Sequence, residues 1–387
     1  MSKYNSLLYP YSKPSINQND INSILKVLND GYLTQGKRLV AFEKKLKELF
    51  SSKYVLACNS GTASLHLIYM ALKAGPKKNI LTTPLTFVAT ANAARMCGAK
   101  VYFTDVDQET GLMDLKSTER VLKSNKSINI ISVVHLAGRL IDMEKVSYLA
   151  KKYDCYVVED ACHAPGSSFK NSKNQEIITG SCKYSIASSF SFHAIKHIST
   201  GEGGCVTTNN KALFEKIKIL RSHGLSKRGN NKWENYMTKL GWNYRIDEMS
   251  CALGISQVSR LKEGIKKRRT LVNTYLKLLK NINYIKTPKL PDYANSHVWH
   301  LFPIAIDFRK IKKSRMHIMK NLESLGIGTQ IHYTPIFLQP YYKRKNTKQY
   351  SNALLYYKKT LSLPLYPDLN KKDIKVICDR LIEVLKK

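Results

Sequence analysis

Acidic residues are scarce in this chain of 387 residues: 28 Asp and Glu stand against 63 Lys and Arg, a formal net charge of +35. Such an excess raises the question of a nucleic-acid or anionic-membrane partner. The signatures of one are missing. No helix-turn-helix, RNA-recognition or zinc-finger pattern is present, and the basic residues are spread along the chain in short clusters such as Lys266-Lys267-Arg268-Arg269. We therefore read a lysine-rich surface, mildly favourable to anionic substrates, and expect no specific nucleic acid. Long apolar runs are also lacking, so no membrane-spanning helix is expected, and Met1 to Asn5 has no apolar signal core. None of the eight cysteines forms a C-x-x-C pair. That pattern argues for reduced thiols in a cytoplasm and against a disulfide framework or a metal site. Internal repeats and low-complexity linkers are absent too.

What is present is enough apolar material, 43% of residues, to bury a sizeable core, in a length that suits two domains or one large and one small. The stretch that organises the rest is Ser189 to Gly204. A short apolar, aromatic run delivers Lys196 into a turn of small residues. An ammonium partly desolvated there has a lowered pKa and becomes a nucleophile toward carbonyls, as a Schiff-base lysine must be. Upstream, Val157-Val158-Glu159-Asp160-Ala161 reads as a buried strand ending in two carboxylates. A lysine for an aldehyde and an acid to keep a pyridine nitrogen protonated are the two parts that pyridoxal 5'-phosphate (PLP) chemistry needs. Alternation along a strand sends Glu159 to the face opposite Asp160, so Glu159 is given no catalytic part.

From the N-terminus, Ile21, Ile24, Leu25 and Leu28 space a first helix within 15–30, stopped at Asn29-Asp30-Gly31. The loop Tyr32 to Gly36 follows, then a helix with Phe42, Leu46, Leu49 and Phe50 on one face. Next, apolar Tyr54 to Ala57 runs into Asn59-Ser60-Gly61-Thr62-Ala63. Strand, small-residue turn and helix make an anion site from free N–H groups; an ordinary N-cap by Ser60 or Thr62 is the plainer reading. Beyond Gly75, strands are expected at 80–83, 101–103, 128–135, 156–161 and 185–192, with helices at 88–96, 143–151 and 211–221. Short apolar strands with crossover helices predict an α/β fold, a mostly parallel sheet covered on both faces. Ligands on such sheets sit at the carboxyl ends of strands, where both Asp160 and Lys196 fall. Gly201-Glu202-Gly203-Gly204 lacks dinucleotide spacing and precedes a strand, so it reads as a tight turn that leaves Lys196 room. Residues 246–279 read as one long basic helical region, followed by a strand at 301–306, a helix at 314–325, a loop at 326–342 and a last helix from Lys371. We place a large domain at 1–250 and a smaller C-terminal α+β domain at 251–387.

Lys196 with Thr200 to Gly204, Glu159-Asp160-Ala161, Asn59 to Ala63, and Gly241-Trp242-Asn243-Tyr244-Arg245 together resemble the DegT-type nucleotide-sugar aminotransferases, in order and spacing, from about Tyr11 to near the C-terminus. Within that family, Thr83 to Asn92, Ser191-Phe192-His193, Trp299-His300, Gly326 to Pro335 and Leu338 to Tyr342 resemble most the members of the pseudaminic-acid pathway. Ala194 stands where the family usually has proline, and Ser199 where it has threonine. The resemblance implies a type I PLP fold with a seven-stranded sheet, a homodimer, glutamate as amino donor, and a UDP-linked 4-keto-6-deoxy sugar as acceptor, here the N-acetyl-L-altrosamine precursor. Lys196 would carry the Schiff base and the proton, and Asp160 would hold the pyridine nitrogen. Gly61, Thr62 and Ser191 would hold the phosphate, with Asn243 reaching it from the other subunit. His163 would lie near the coenzyme's hydroxyl and Phe87 would stack on its ring. Tyr32, Arg245, His332 and Tyr333 would touch the substrate, with Trp299-His300 as further sugar contacts. The plain readings of these residues are a core histidine for His163, core packing for Phe87 and a surface arginine for Arg245. Three rival functions stand beside this one: a dehydratase of the same family, which uses histidine in place of the lysine; an aminotransferase for a viosamine-, perosamine- or bacillosamine-type sugar; and a non-catalytic basic binding protein.

Overall fold

The computed structural model describes residues 7–227, 233–291, 293–343 and 347–386. The chain opens with α1 (Gln18–Asp30) and α2 (Lys37–Phe50). Asn17 and Asp20 close a reciprocal capping box at the start of α1, and Gly31 ends it in the left-handed region at φ 74°, a conformation that suits a residue without Cβ. The apolar stripe expected on this helix is present but uncovered: Leu25 and Leu28 are 50% and 51% exposed. On α2, by contrast, Phe42, Leu46 and Phe50 are fully buried.

The alternation of strands and helices is as expected. β1 (Tyr54–Cys58), α3 (Gly61–Ala71), β2 (Asn79–Thr82), α4 (Ala89–Met96), β3 (Val101–Phe103), α5 (Leu115–Ser124), β4 (Ile128–Val134), α6 (Met143–Lys152) and β5 (Tyr156–Asp160) follow in turn. The short strands β6 (Ser168–Lys170) and β7 (Glu176–Ile178) interrupt, before β8 (Ala187–Ser191), β9 (Gly204–Thr208) and α7 (Lys211–Arg221). Seven of these strands form one sheet in the order β1-β9-β8-β5-β4-β2-β3. Only β9 is antiparallel to its neighbours; β8, β5, β4, β2 and β3 pair in parallel. Successive strand residues point to opposite faces, and the core divides accordingly. Leu56, Ile80, Ile130, Val158 and Val206 pack with α3, α4 and α7. Leu81, Ile131, Val133 and Val157 pack with α6, and Val55, Ala57 and Phe190 pack with α2.

The long helical region reads differently from the expectation. It is two helices, separated from α7 by the strands β10 (Leu225–Lys227) and β11 (Asn235–Met237): α8 (Glu248–Ser259) and α9 (Leu261–Leu279). Arg260 breaks the helix at φ −112°, ψ 10°, where its guanidinium meets Asp20 Oδ2 at 2.5 Å. The tertiary partner overrides a helical sequence pattern there. A second sheet, of β12 (Ile285–Lys286), β14 (Phe302–Ile306) and β15 (Thr360–Leu363), packs with α9, α10 (Arg315–Ser324) and α12 (Lys371–Lys386) around Phe302, Ile304, Ile318 and Ile377; between them, β13 (Ala294–Ser296) pairs with β6 and α11 (Ser351–Lys359) precedes β15. No helix among the described residues is long and apolar enough to cross a membrane.

Candidate active site

At the carboxyl ends of the parallel strands the chain leaves a cavity of about 710 Å³, within the size range of a small-molecule site. Five strands contribute to it. β1 leads to Gly61 and Thr62, β2 to Thr86 and Phe87, β4 ends at Val134, β5 at Asp160, and β8 at Ser191. Lys196 stands on the loop between β8 and β9. That loop is pinned by Phe192, whose N–H donates to Gly203 O at 2.7 Å and whose carbonyl accepts from Thr200 N–H at 2.8 Å. Lys196's own N–H donates to His193 O at 2.8 Å. Phe192 and Ile198 bury their side chains in the core on either side, so the intervening turn swings Lys196 into the cavity. Burial pushes the Lys196 amine below its ordinary pKa, against the opposing pull of Cys162 and Asp160.

Asp160 is held from two sides. Thr90 Oγ1 donates to its Oδ2 at 2.6 Å, and the Cys162 N–H donates to its Oδ1 at 3.3 Å. Glu159 points away, as alternation requires. Its carboxylate takes His135 Nε2 at 3.0 Å, Ser185 Oγ at 2.5 Å and Ser188 Oγ at 2.9 Å. Burial opposes its ionised form, but these partners, His135 first, leave its pKa lowered.

Four histidines line the cavity, His193 on the loop that carries Lys196 and His163, His300 and His332 from other segments. The Ala137 N–H donates to His163 Nδ1 at 3.2 Å, so the ring proton sits on Nε2. That Nε2–H meets the Tyr333 hydroxyl at 3.1 Å, which leaves the Tyr333 proton to be donated elsewhere. The Ala137 carbonyl accepts from the His300 N–H at 3.2 Å. Ala137 thus meets the His163 ring and the His300 backbone while adopting φ 61°, a left-handed conformation that is uncommon without glycine. Burial, and then the Lys196 charge, hold His163 far below the usual histidine pKa. Burial and Lys196 likewise bring His332 down to about 3. These buried rings are thus polar but uncharged.

A profile of the DegT/DnrJ/EryC1/StrS aminotransferase family matches residues 14–382. The chain belongs to that family. It is 40% identical over 378 residues, 97% of each chain, to the UDP-4-amino-4,6-dideoxy-N-acetyl-beta-L-altrosamine transaminase of Campylobacter jejuni. It is 33% identical over 391 residues, again 97% of each, to the spore coat polysaccharide biosynthesis protein SpsC of Bacillus subtilis. Among solved structures, Helicobacter pylori PseC, an aminotransferase involved in the biosynthesis of pseudoaminic acid, superposes with a TM-score of 0.88 at 33% identity, covering 98% of this chain and 99% of that one.

DegT-family aminotransferases use PLP, and the residues here fit it. Gly61 and Thr62 open α3 at the cavity, and the first N–H groups of a helix have no partner within it. Ser60 Oγ takes the Ala63 N–H, at 3.0 Å, an N-cap bond that does not use the Gly61 or Thr62 N–H groups. A Cβ on Gly61 would come within 2.8 Å of Ser191 Cβ, so glycine is what lets these two walls approach. A Gly61→Ala variant is expected to bind PLP on the order of tenfold more weakly, the scale of a locally overpacked contact, as read by titration of the visible absorbance; unchanged affinity would remove Gly61 from the phosphate cradle.

Of the DegT-type residues named from sequence, Gly61, Thr62, Phe87, Asp160, His163, Ser191, Lys196, His332 and Tyr333 line one cavity, as does His300. Tyr32, Asn243 and Arg245 do not. Tyr32 is 77% exposed, and the Asn243 backbone bridges Ser222 at the surface. Trp299 departs from its pairing with His300. At φ 53° the backbone turns, and the indole packs into the second core against Phe302. The wall also includes Tyr11, Thr86, Cys162, Gln330 and Gln339, which sequence reasoning passed over. Thr86, Gln330 and Gln339 had a signal in their place within stretches that carry the resemblance; Tyr11 arrives from a distant segment and had none.

Proposed function

We propose that this DegT-family enzyme transfers the amino group of L-glutamate to C4 of a UDP-linked 4-keto-6-deoxy sugar, the N-acetyl-L-altrosamine precursor of pseudaminic acid, in the cytoplasm. The observation that carries the amino-transfer reading is the Lys196 amine, lowered in pKa by burial, in one cavity with Asp160. The choice of acceptor is supported by 40% identity along 97% of the altrosamine transaminase.

PLP, when bound, supplies an aldehyde that exchanges amines and a ring that takes up electrons from a bond broken beside the amine. The protein does the rest. Gly61 and Thr62 N–H groups and the Ser191 hydroxyl bind the phosphate. Asp160, an acceptor on both oxygens, keeps the proton on the ring nitrogen. Lys196 Nζ takes the proton from the donor's α-carbon and returns one at C4 of the acceptor, so one amine is base and then acid. His163, His300 and His332 stay neutral and add no charge beside it. The dehydratase reading loses its support, because Lys196 stands where that chemistry places histidine.

A homodimer fits the uncovered face of α1. Exposed Ile21, Leu25 and Leu28 lie on it, and Trp233, Met237 and Leu240 are exposed on and beside β11. Scattered exposed apolar residues are ordinary, but a continuous stripe calls for a partner. In this reading Asn243, Arg245 and Tyr32, outside their own cavity, belong to the site of the other subunit. L-glutamate is expected to bleach the visible absorbance of the PLP-loaded protein, and the altrosamine precursor to be aminated at C4 faster than viosamine-, perosamine- or bacillosamine-type keto sugars. Faster amination of one of those would reassign the acceptor. No response to glutamate would reassign the donor.

A further inference from the structure

We infer that Thr90, which lies outside the cavity, is a positioning residue for Asp160, and that a hydroxyl chain from Thr86 through Thr90 fixes how that carboxylate meets the coenzyme. The inference rests on the assignment of Asp160 to the PLP ring nitrogen.

Thr90 is fully buried on α4. Its Oγ1 lies 2.6 Å from Asp160 Oδ2 and 2.8 Å from Thr86 Oγ1. The direction of the protons follows from chemistry. An ionised carboxylate only accepts, so Thr90 must donate to Asp160. Its one proton is then spent, so Thr86 must donate to Thr90. Thr86 lines the cavity, and with its proton committed inward its oxygen faces the cavity as an acceptor. The second carboxylate oxygen takes the Cys162 N–H. Each Asp160 oxygen therefore has one fixed protein donor, which sets the plane of the carboxylate before any ligand arrives. Hydrogen bonds to a charged group are about twice as strong as neutral ones, and a preorganised acceptor loses less freedom on binding. The helix that carries Thr90 is the one that follows Phe87, so the same segment lines the ring's site and orients the acid.

The test is PLP affinity of the purified protein, read by titration of visible absorbance and independent of turnover. Thr90→Val keeps the shape and removes the hydroxyl. It is expected to weaken PLP binding about tenfold, the scale of one charge-assisted hydrogen bond, while Thr90→Ser stays within about twofold of wild type. Thr90→Ala, which differs from Thr90→Ser by the hydroxyl alone, is expected to match the loss in Thr90→Val and decides the question should the valine variant fail to fold. Equal affinities of the serine and alanine variants, or a valine variant that binds as wild type, would overturn the inference. Asp160→Asn run alongside separates the two levels. If it binds PLP as wild type does, the assignment of Asp160 itself falls; if it binds weakly while Thr90→Val is unaffected, only the role of Thr90 falls.

Discussion

Lys196→Ala is expected to lower amino transfer by on the order of 10⁴-fold or more, the upper end of what one positioned acid–base group supplies, and more where the same group is also the nucleophile. The cavity shows why two close neighbours are poorly placed to substitute for it. His163, His193, His300 and His332 are the other nitrogen bases in the wall, and His193 Nε2 faces Glu202 Oε1 at 3.8 Å. His163 gives its Nδ1 to the Ala137 N–H and its Nε2 proton to Tyr333, so neither ring nitrogen is free to take a proton from a substrate. Cys162 is nearby, but burial, and then Asp160, raise its thiol well above the usual range, so it is no base at neutral pH. Lys196→Arg is expected to fail as fully, because guanidinium keeps the positive charge but neither condenses with the aldehyde nor gives up its proton. Circular dichroism and single-turnover assays with glutamate make the check. A folded alanine variant that still transfers nitrogen at a measurable fraction of wild type would remove Lys196 from the chemistry and return the histidines to consideration.

How much of this was legible in the sequence depends on the range of the interactions. Lys196, Asp160 and Gly61 were readable because local rules place them: an apolar strand ends, small residues turn, and the functional group falls at a strand's carboxyl end. Strand alternation sent Glu159 away from Asp160, and the structure gives it His135, Ser185 and Ser188 on the far face. The break at Arg260 was not readable, because its cause is Asp20, which lies 240 residues away. Nor was the splitting of Trp299 from His300, which follows from one backbone angle, φ 53°. The wall formed by Tyr11 and Gln330 has the same origin: Leu365 N–H donates to Tyr11 O, and Gln330 and Ser362 exchange backbone bonds, pairings between segments that no sequence period announces. Thr90 sits between. Its helix was predicted, but that its hydroxyl would meet a carboxylate 70 residues on required the sheet.

The buried histidines carry a second large expectation: the protein loses stability steeply as pH falls below about 6.5. His163, His197, His297 and His300 are each held well below the ordinary histidine pKa of 6.5, first by burial and then by neighbouring positive groups, Lys196, Arg268 and Arg139 among them. His332 is brought to about 3 and His66 to about 4. A group with a folded pKa below its unfolded one binds fewer protons when folded. Stability then rises with pH across the interval between the two values and is fully present only above the unfolded pKa. For these rings the interval begins near 6.5 and, for His332, reaches down to about 3. Within it each ring contributes a slope approaching roughly 1.4 kcal/mol per pH unit, and the shifts of all six rings share one sign. Burial leaves them no inexpensive way to accept a proton: His197 Nε2, His297 Nε2 and His300 Nδ1 lie enclosed without a hydrogen-bond partner, so a cation there would be unsolvated. Lys196 adds to none of this in the acid range, because its lowered pKa acts toward alkaline pH. The apoprotein's Tm is therefore expected to fall sharply between pH 7 and pH 5. His332→Asn, whose amide can keep the bond that Ser362 Oγ makes at 2.9 Å, should flatten the dependence by one ring's share. A Tm that stays level across that range would mean that the folded protein takes up these protons without cost, and that the buried rings beside Lys196 are charged, which would undo the argument that they stay neutral and add no charge there.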